Sequence, residues 1–126
     1  MRAVDTNALV RLITADSPSQ TASCAEFVQN GVWVSVLVLA EAVWVLTTVY
    51  NRSSSGVATA IEMLLDNTHL TVQDSDVVAA ALQLFRSRPA LGFSDCLILE
   101  LARKAGHLPL GTLDRRLGKI EGAQKI

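Results

Sequence analysis

Between Val32 and Val49 the chain reads VWVSVLVLAEAVWVLTTV, with Glu41 as its only charge. A run of that length is just long enough to cross a bilayer as a helix, so the first question is which solvent it is built for. A carboxylate in the middle of a span costs roughly 2.5–3.5 kcal/mol to insert. β-Branched residues crowd only the front of the run, and Ser35 stands where a helix N-cap would serve. The run therefore reads as a short strand, Val32 to Val34, followed by a helix buried in a soluble core. The opening MRAVDTN lacks the apolar core of a signal peptide. The expected setting is the cytoplasm, away from any membrane.

The rest of the chain supports one domain over residues 1–126, a length typical of a single core. Hydrophobic residues make up 50% and charged residues 18%, which provides for a packed interior and excludes a disordered polymer. Eleven basic residues against twelve acidic ones exclude a protein that holds nucleic acid by bulk positive charge. Cys24 and Cys96 are too few for a disulfide scaffold and read as small buried side chains in a reducing compartment.

Short apolar runs alternate with helical patterns. Arg2–Val4 is followed by a helix from Ala8, and Ser17-Pro18-Ser19-Gln20 reads as a capping box that starts a second helix. Asn51 to Gly56 reads as a polar loop, Val57 to Leu65 as a helix, His69 to Val72 as a strand and Asp76 to Arg86 as a helix. After Pro89 and Gly92 come a helix over Asp95–Ala105, a last strand over Leu108–Thr112 and a basic tail. This alternation predicts an α/β fold, a central parallel β-sheet flanked by helices on both faces. Ligands in such sheets bind beyond the carboxyl ends of the strands.

Those strand ends are acidic. Asp5 follows the first strand, Asp114 follows the last, and Asp95 opens a helix after Gly92-Phe93-Ser94. Each of the three also suits a helix cap, and a cap does not preclude a metal ligand. Capping cannot explain Glu41, whose helical neighbours Leu37, Val38, Trp44 and Val45 are all apolar. Such a carboxylate must reach the edge of the core, stay protonated or meet a cation. No Lys or Arg lies between Arg11 and Arg52 to provide a local partner. If these acids converge, they persist together only around something positive. Oxygen ligands without a Cys/His cluster favour Mg²⁺ or Mn²⁺, a setting for phosphodiester cleavage. His69 and His107 read as ordinary surface histidines. Arg86 and Arg88 approach Asp95 in sequence, and Arg115, Arg116 and Lys119 follow Asp114, a pattern suited to guiding a polyanion or simply to a solvated face.

Asp5-Thr6-Asn7, the lone Glu41, Gly92-Phe93-Ser94-Asp95-Cys96-Leu97-Ile98 and Thr112-Leu113-Asp114 resemble, in order and spacing, the four motifs of the PIN domain. Length and the closing Leu-Pro-Leu-Gly-Thr-Leu-Asp-Arg-Arg-Leu are similar to the VapC-type toxins of VapBC toxin–antitoxin pairs. The resemblance spans essentially the whole chain, with Ser94 where relatives often carry alanine. It implies a single PIN domain and a Mg²⁺- or Mn²⁺-dependent endoribonuclease acting as the toxin of a type II system. Asp5, Glu41, Asp95 and Asp114 would be catalytic and ligate the metal, Asn7 would orient Asp5, and Thr112 would support the site. Activated water would attack phosphorus in line, leaving a 5′-phosphate and a 3′-hydroxyl. The implied partners are an RNA substrate, a cognate antitoxin and a second copy of the chain in a homodimer.

Two other readings compete. An aspartyl-phosphate enzyme wants an acidic pair, or a second aspartate two residues after the first, but Thr6-Asn7 follow Asp5. A non-catalytic PIN-like module that binds RNA or antitoxin has no need of an intact acidic set.

Overall fold

Val32 and Val34 point to one side of a three-residue strand and are buried, while Trp33 between them is 38% exposed. The computed structural model describes residues 1–126, and its backbone divides into two units, Met1–Ser75 and Asp76–Ile126.

The first unit is built on a parallel three-stranded sheet, β1 (Arg2–Ala3), β2 (Val32–Val34) and β3 (Leu70–Val72), with β2 in the middle. Ala3 pairs with Trp33, and Val32 and Val34 pair with Leu70 and Val72, so the buried residues of β2 and β3 line one face. Parallel neighbours require long crossovers. These are the helix pairs α1 (Thr6–Thr14) and α2 (Pro18–Val28), then α3 (Val36–Thr48) and α4 (Ser54–Asp66). Ser35 caps α3 by accepting from the Val38 amide at 3.1 Å, so the long apolar run is a strand and a helix, as its β-branched front predicts. No helix is long and apolar enough to cross a membrane.

The core of this unit joins Leu9 and Val10 of α1, Leu39, Ala42 and Leu46 of α3, and Val57 and Ile61 of α4. At about 25 cal/mol per Å² of apolar area removed from water, such side chains supply most of the driving force. Two local starts differ from the sequence reading. Ser17 makes no side-chain cap, and the Gln20 side chain, which would complete the box, accepts from Arg11 Nε at 2.6 Å. Helix α4 begins inside the polar NRSSSG segment, because the Ser53 hydroxyl accepts from the Gly56 amide and supplies a cap.

In the second unit α5 (Ser75–Ser87, its first residue at the boundary) is followed by a 3₁₀ turn over Pro89–Leu91 and by α6 (Phe93–Ala105). Phe85 and Phe93 meet edge to face, with ring centroids 6.0 Å apart at 79°. The last strand does not join the central sheet. β4 (Leu110–Thr112) pairs in parallel with β5 (Ala123–Lys125), formed by the tail, in a separate two-stranded sheet. The connection between them is a tight 3₁₀ turn, Leu117–Lys119. Gly118 makes it possible: a Cβ there would lie 3.0 Å from the Lys125 Cβ and 3.3 Å from its backbone. The α/β class and the parallel sheet stand as read, and the chain end forms an additional strand.

Candidate active site

Asp5 leaves β1 with extended backbone angles and caps α1, its Oδ1 accepting from the Ala8 amide at 3.0 Å. The second carboxylate oxygen makes no hydrogen bond within the protein. Asp5 also borders a cleft of about 460 Å³ between α1 and α2, with Ala8, Ser23, Cys24 and Phe27 on its walls. Cys24 is therefore half-exposed rather than a core residue. Asn7 is exposed on α1 and lines the adjoining part of the same cleft, about 470 Å³.

Glu41 lies in the second turn of α3, and of the three alternatives open to it the structure selects the first, a place at the edge of the core. Its apolar neighbours on the helix do not bury it, because Leu37 is 67% and Trp44 63% exposed. The glutamate faces solvent and is held by one bond, from the Thr6 hydroxyl to Oε2 at 2.7 Å. Sequence reasoning missed Thr6, whose partner lies 35 residues away. The only available signal was a hydroxyl placed one residue after a candidate acid. Through Thr6, the two acids of the first unit are held at one end of the sheet.

Asp95 and Asp114 belong to the second unit. Asp95 is the third residue of α6, so Gly92 occupies the cap position and Asp95 caps nothing. Its side chain makes no hydrogen bond with the protein, although the first turn of a helix suits a negative charge. Burial pushes its carboxyl above the ordinary range, and the charge of Asp114 pushes the same way. The neighbouring Cys96 thiol is fully buried, and burial, with help from Asp95, raises it to about 11. At neutral pH it is a packing group rather than a nucleophile. Asp114 follows β4 and caps the 3₁₀ turn, Oδ1 accepting from the Leu117 amide at 2.8 Å. Thr112 Oγ1 accepts from the Asp114 amide at 3.0 Å and fixes the loop that carries the acid.

The acids thus stand as two pairs, one in each unit. Within neither unit do three His, Cys, Asp or Glu side chains gather as a metal cluster. The donor chemistry nevertheless fits a hard divalent cation. Asp5, Glu41 and Asp114 each commit one oxygen to the fold and keep the other free, and Asp95 keeps both. Carboxylates oriented by one hydrogen bond, with a second lone-pair face open, are suited to Mg²⁺ or Mn²⁺.

The sequence profile of the PIN domain matches residues 2–123, which includes all four acids and runs through both units. The chain belongs to the PIN domain family. No curated protein matches it. The PIN assignment gives these carboxylates a nuclease-like fold as their context.

Proposed function

We propose that this PIN domain, taken as residues 1–126, is a Mg²⁺- or Mn²⁺-dependent endoribonuclease and the toxin of a type II, VapC-type toxin–antitoxin pair. The observation that carries the reading is the open oxygen that Asp5, Glu41, Asp95 and Asp114 all keep within a PIN fold. These four would hold the metal, which when bound supplies Lewis acidity to water and to a phosphoryl oxygen.

The chain's own residues do the positioning. The Ala8 amide fixes the rotamer of Asp5, the Thr6 hydroxyl that of Glu41, and the Leu117 amide that of Asp114. Each carboxylate is thereby held before a ligand arrives, which lowers the entropic cost of organising the site. Thr112 supports Asp114 through its amide, and Asn7, exposed two residues after Asp5, would orient that carboxylate. Toxin action implies a cytoplasmic protein paired with a cognate antitoxin and assembled as a homodimer.

Cleavage of a mixed cellular RNA pool, with Mn²⁺ or with chelator, tests the reading. Defined fragments should appear only with metal and vanish in Asp95→Asn. Fragments that persist in chelator, or in the variant, would overturn it. One observation favours a non-catalytic RNA- or antitoxin-binding module: neither unit alone gathers three ligands. Calorimetry decides between them, since such a module would take up no Mn²⁺.

A further inference from the structure

The net charge of −1 conceals a strong asymmetry. Met1–Ser75 carries three Lys or Arg and seven Asp or Glu, whereas Asp76–Ile126 carries eight and five, a balance of +3. Part of that excess is already used. Arg103 bonds Glu100 and the Glu121 carbonyl, and Lys104 reaches Asp76 at 3.1 Å. Arg88, Arg116 and Lys119 are not used in this way, and their side chains make no hydrogen bond or ion pair with the protein. All three are exposed and line a single cavity of about 350 Å³, and no carboxylate is on its walls. The floor between the cations is Pro89, Ala90 and Leu91. Three like charges kept together without counter-charge form a standing site for an anion.

We propose that Arg88, Arg116 and Lys119 form a phosphate-binding subsite that holds the backbone of single-stranded RNA. The inference rests on the ribonuclease reading and identifies where its substrate is gripped. Two guanidinium forks and an ammonium match phosphate oxygens, and the proline and aliphatic floor between them suits the apolar face of a ribose or base. The cavity's volume is within the range of small-ligand pockets. Arg116 and Lys119 stand at the 3₁₀ turn that Asp114 caps, so a phosphate held there lies on the same short segment as a candidate metal ligand. An acidic protein segment would also answer the charge. Its carboxylates answer the cations, but it lacks the ribose and base faces that suit Pro89, Ala90 and Leu91.

The test uses the full chain and a short fluorescein-labelled RNA of mixed sequence, in chelator so that it stays intact. Fluorescence anisotropy is followed across a salt series for the wild type and for Arg88→Ala, Arg116→Ala, Lys119→Ala and the triple variant. Removing one cation from its phosphate should make the slope of log K against log salt shallower by about 0.7, and the triple variant should be shallower by about 2. Mn²⁺ uptake by calorimetry and the melting temperature should stay at wild-type values, which separates weakened grip from a damaged fold or metal site. In metal, KM for RNA should rise while kcat holds. A triple variant with unchanged slope, beside a wild type that cleaves RNA, would overturn the subsite and leave the nuclease standing. Unchanged RNA binding with abolished binding to a poly-glutamate peptide would assign the cavity to an acidic protein segment and overturn it too. A wild type that binds Mn²⁺ but neither binds nor cuts RNA would remove the subsite and the ribonuclease reading together.

Discussion

The Thr6 hydroxyl stands one residue beyond Asp5 and bonds Glu41 at 2.7 Å, so one side chain relates two candidate ligands that the sequence separates widely. A group that orients a ligating carboxylate typically changes metal affinity by about 10–100-fold when removed. Thr6→Val should therefore weaken Mn²⁺ binding by about 10-fold in calorimetry, and Thr6→Ser should restore it, with the far-UV spectrum unchanged in both. Equal Mn²⁺ affinity in Thr6→Val would show that Glu41 needs no such support. Asp95 presents the opposite case, because its half-buried charge is opposed by burial and by Asp114. Asp95→Asn removes that charge, so the metal-free variant should melt no lower than the wild type in chelator while losing RNA cleavage. A much lower melting point would instead assign Asp95 a structural bond. The placement of Asp5 and Asp114 just beyond strands was legible, since aspartate after a short apolar strand carries its position in the local pattern. The environment of Glu41 was not legible. Sequence neighbours on a helix do not reveal which side of that helix meets solvent, and here Leu37 and Trp44 are exposed with it.

At the scale of elements, the junction that closes the first unit's helices is a small polar network. Tyr50, just beyond α3, donates to Asp16 Oδ2 at 2.6 Å, and Arg11 of α1 lies 3.3 Å from Oδ1. The Tyr50 hydroxyl, then Thr14 and Arg11, hold the Asp16 carboxyl below its usual range, against the opposing effect of desolvation. A carboxylate with a depressed folded-state pKa stabilises the fold above its unfolded value. That contribution is lost as pH falls through the folded value. Tyr50→Phe should therefore lower the melting temperature at neutral pH and flatten its fall on acidification below the ordinary aspartate range. A variant with the wild-type pH profile would show the network to be idle. Helix boundaries set by serine caps were readable at Ser35, where the β-branched run ends. They were obscured at Ser53, because three consecutive serines and a glycine resemble a loop in composition. Strand β5 was illegible for a different reason. Ala-Gln-Lys has no apolar alternation, and the close approach of Gly118 to Lys125 leaves no side-chain pattern to read.

At the scale of the whole molecule, charge and family fit together. The PIN profile covers residues 2–123 of a chain whose acidic excess lies in Met1–Ser75 and whose basic excess lies in Asp76–Ile126. Bulk composition hid that partition, because only a division of the backbone shows where an overall balance is broken. If both acid pairs serve the metal, Mn²⁺ stabilises the folded chain by mass action, about 2.7 kcal/mol at a hundredfold excess over its Kd. Differential scanning fluorimetry should show the wild type melting higher in Mn²⁺, and Glu41→Gln and Asp95→Asn each losing that rise. A rise retained in one variant would assign the ion to the other pair alone.

The chain has two tryptophans, Trp33 and Trp44, both in the first unit and both partly open to solvent. Trp44 is one helical turn beyond Glu41. The protein therefore carries its own optical reporter at one half of its candidate metal centre, while the half bearing Asp95 and Asp114 is dark at the red edge of indole absorption. A paramagnetic ion such as Mn²⁺ arriving at Glu41 should quench that emission, whereas Mg²⁺ at the same carboxylate should leave it bright. The contrast between the two ions would time the loading of a single pair without a label or an engineered residue.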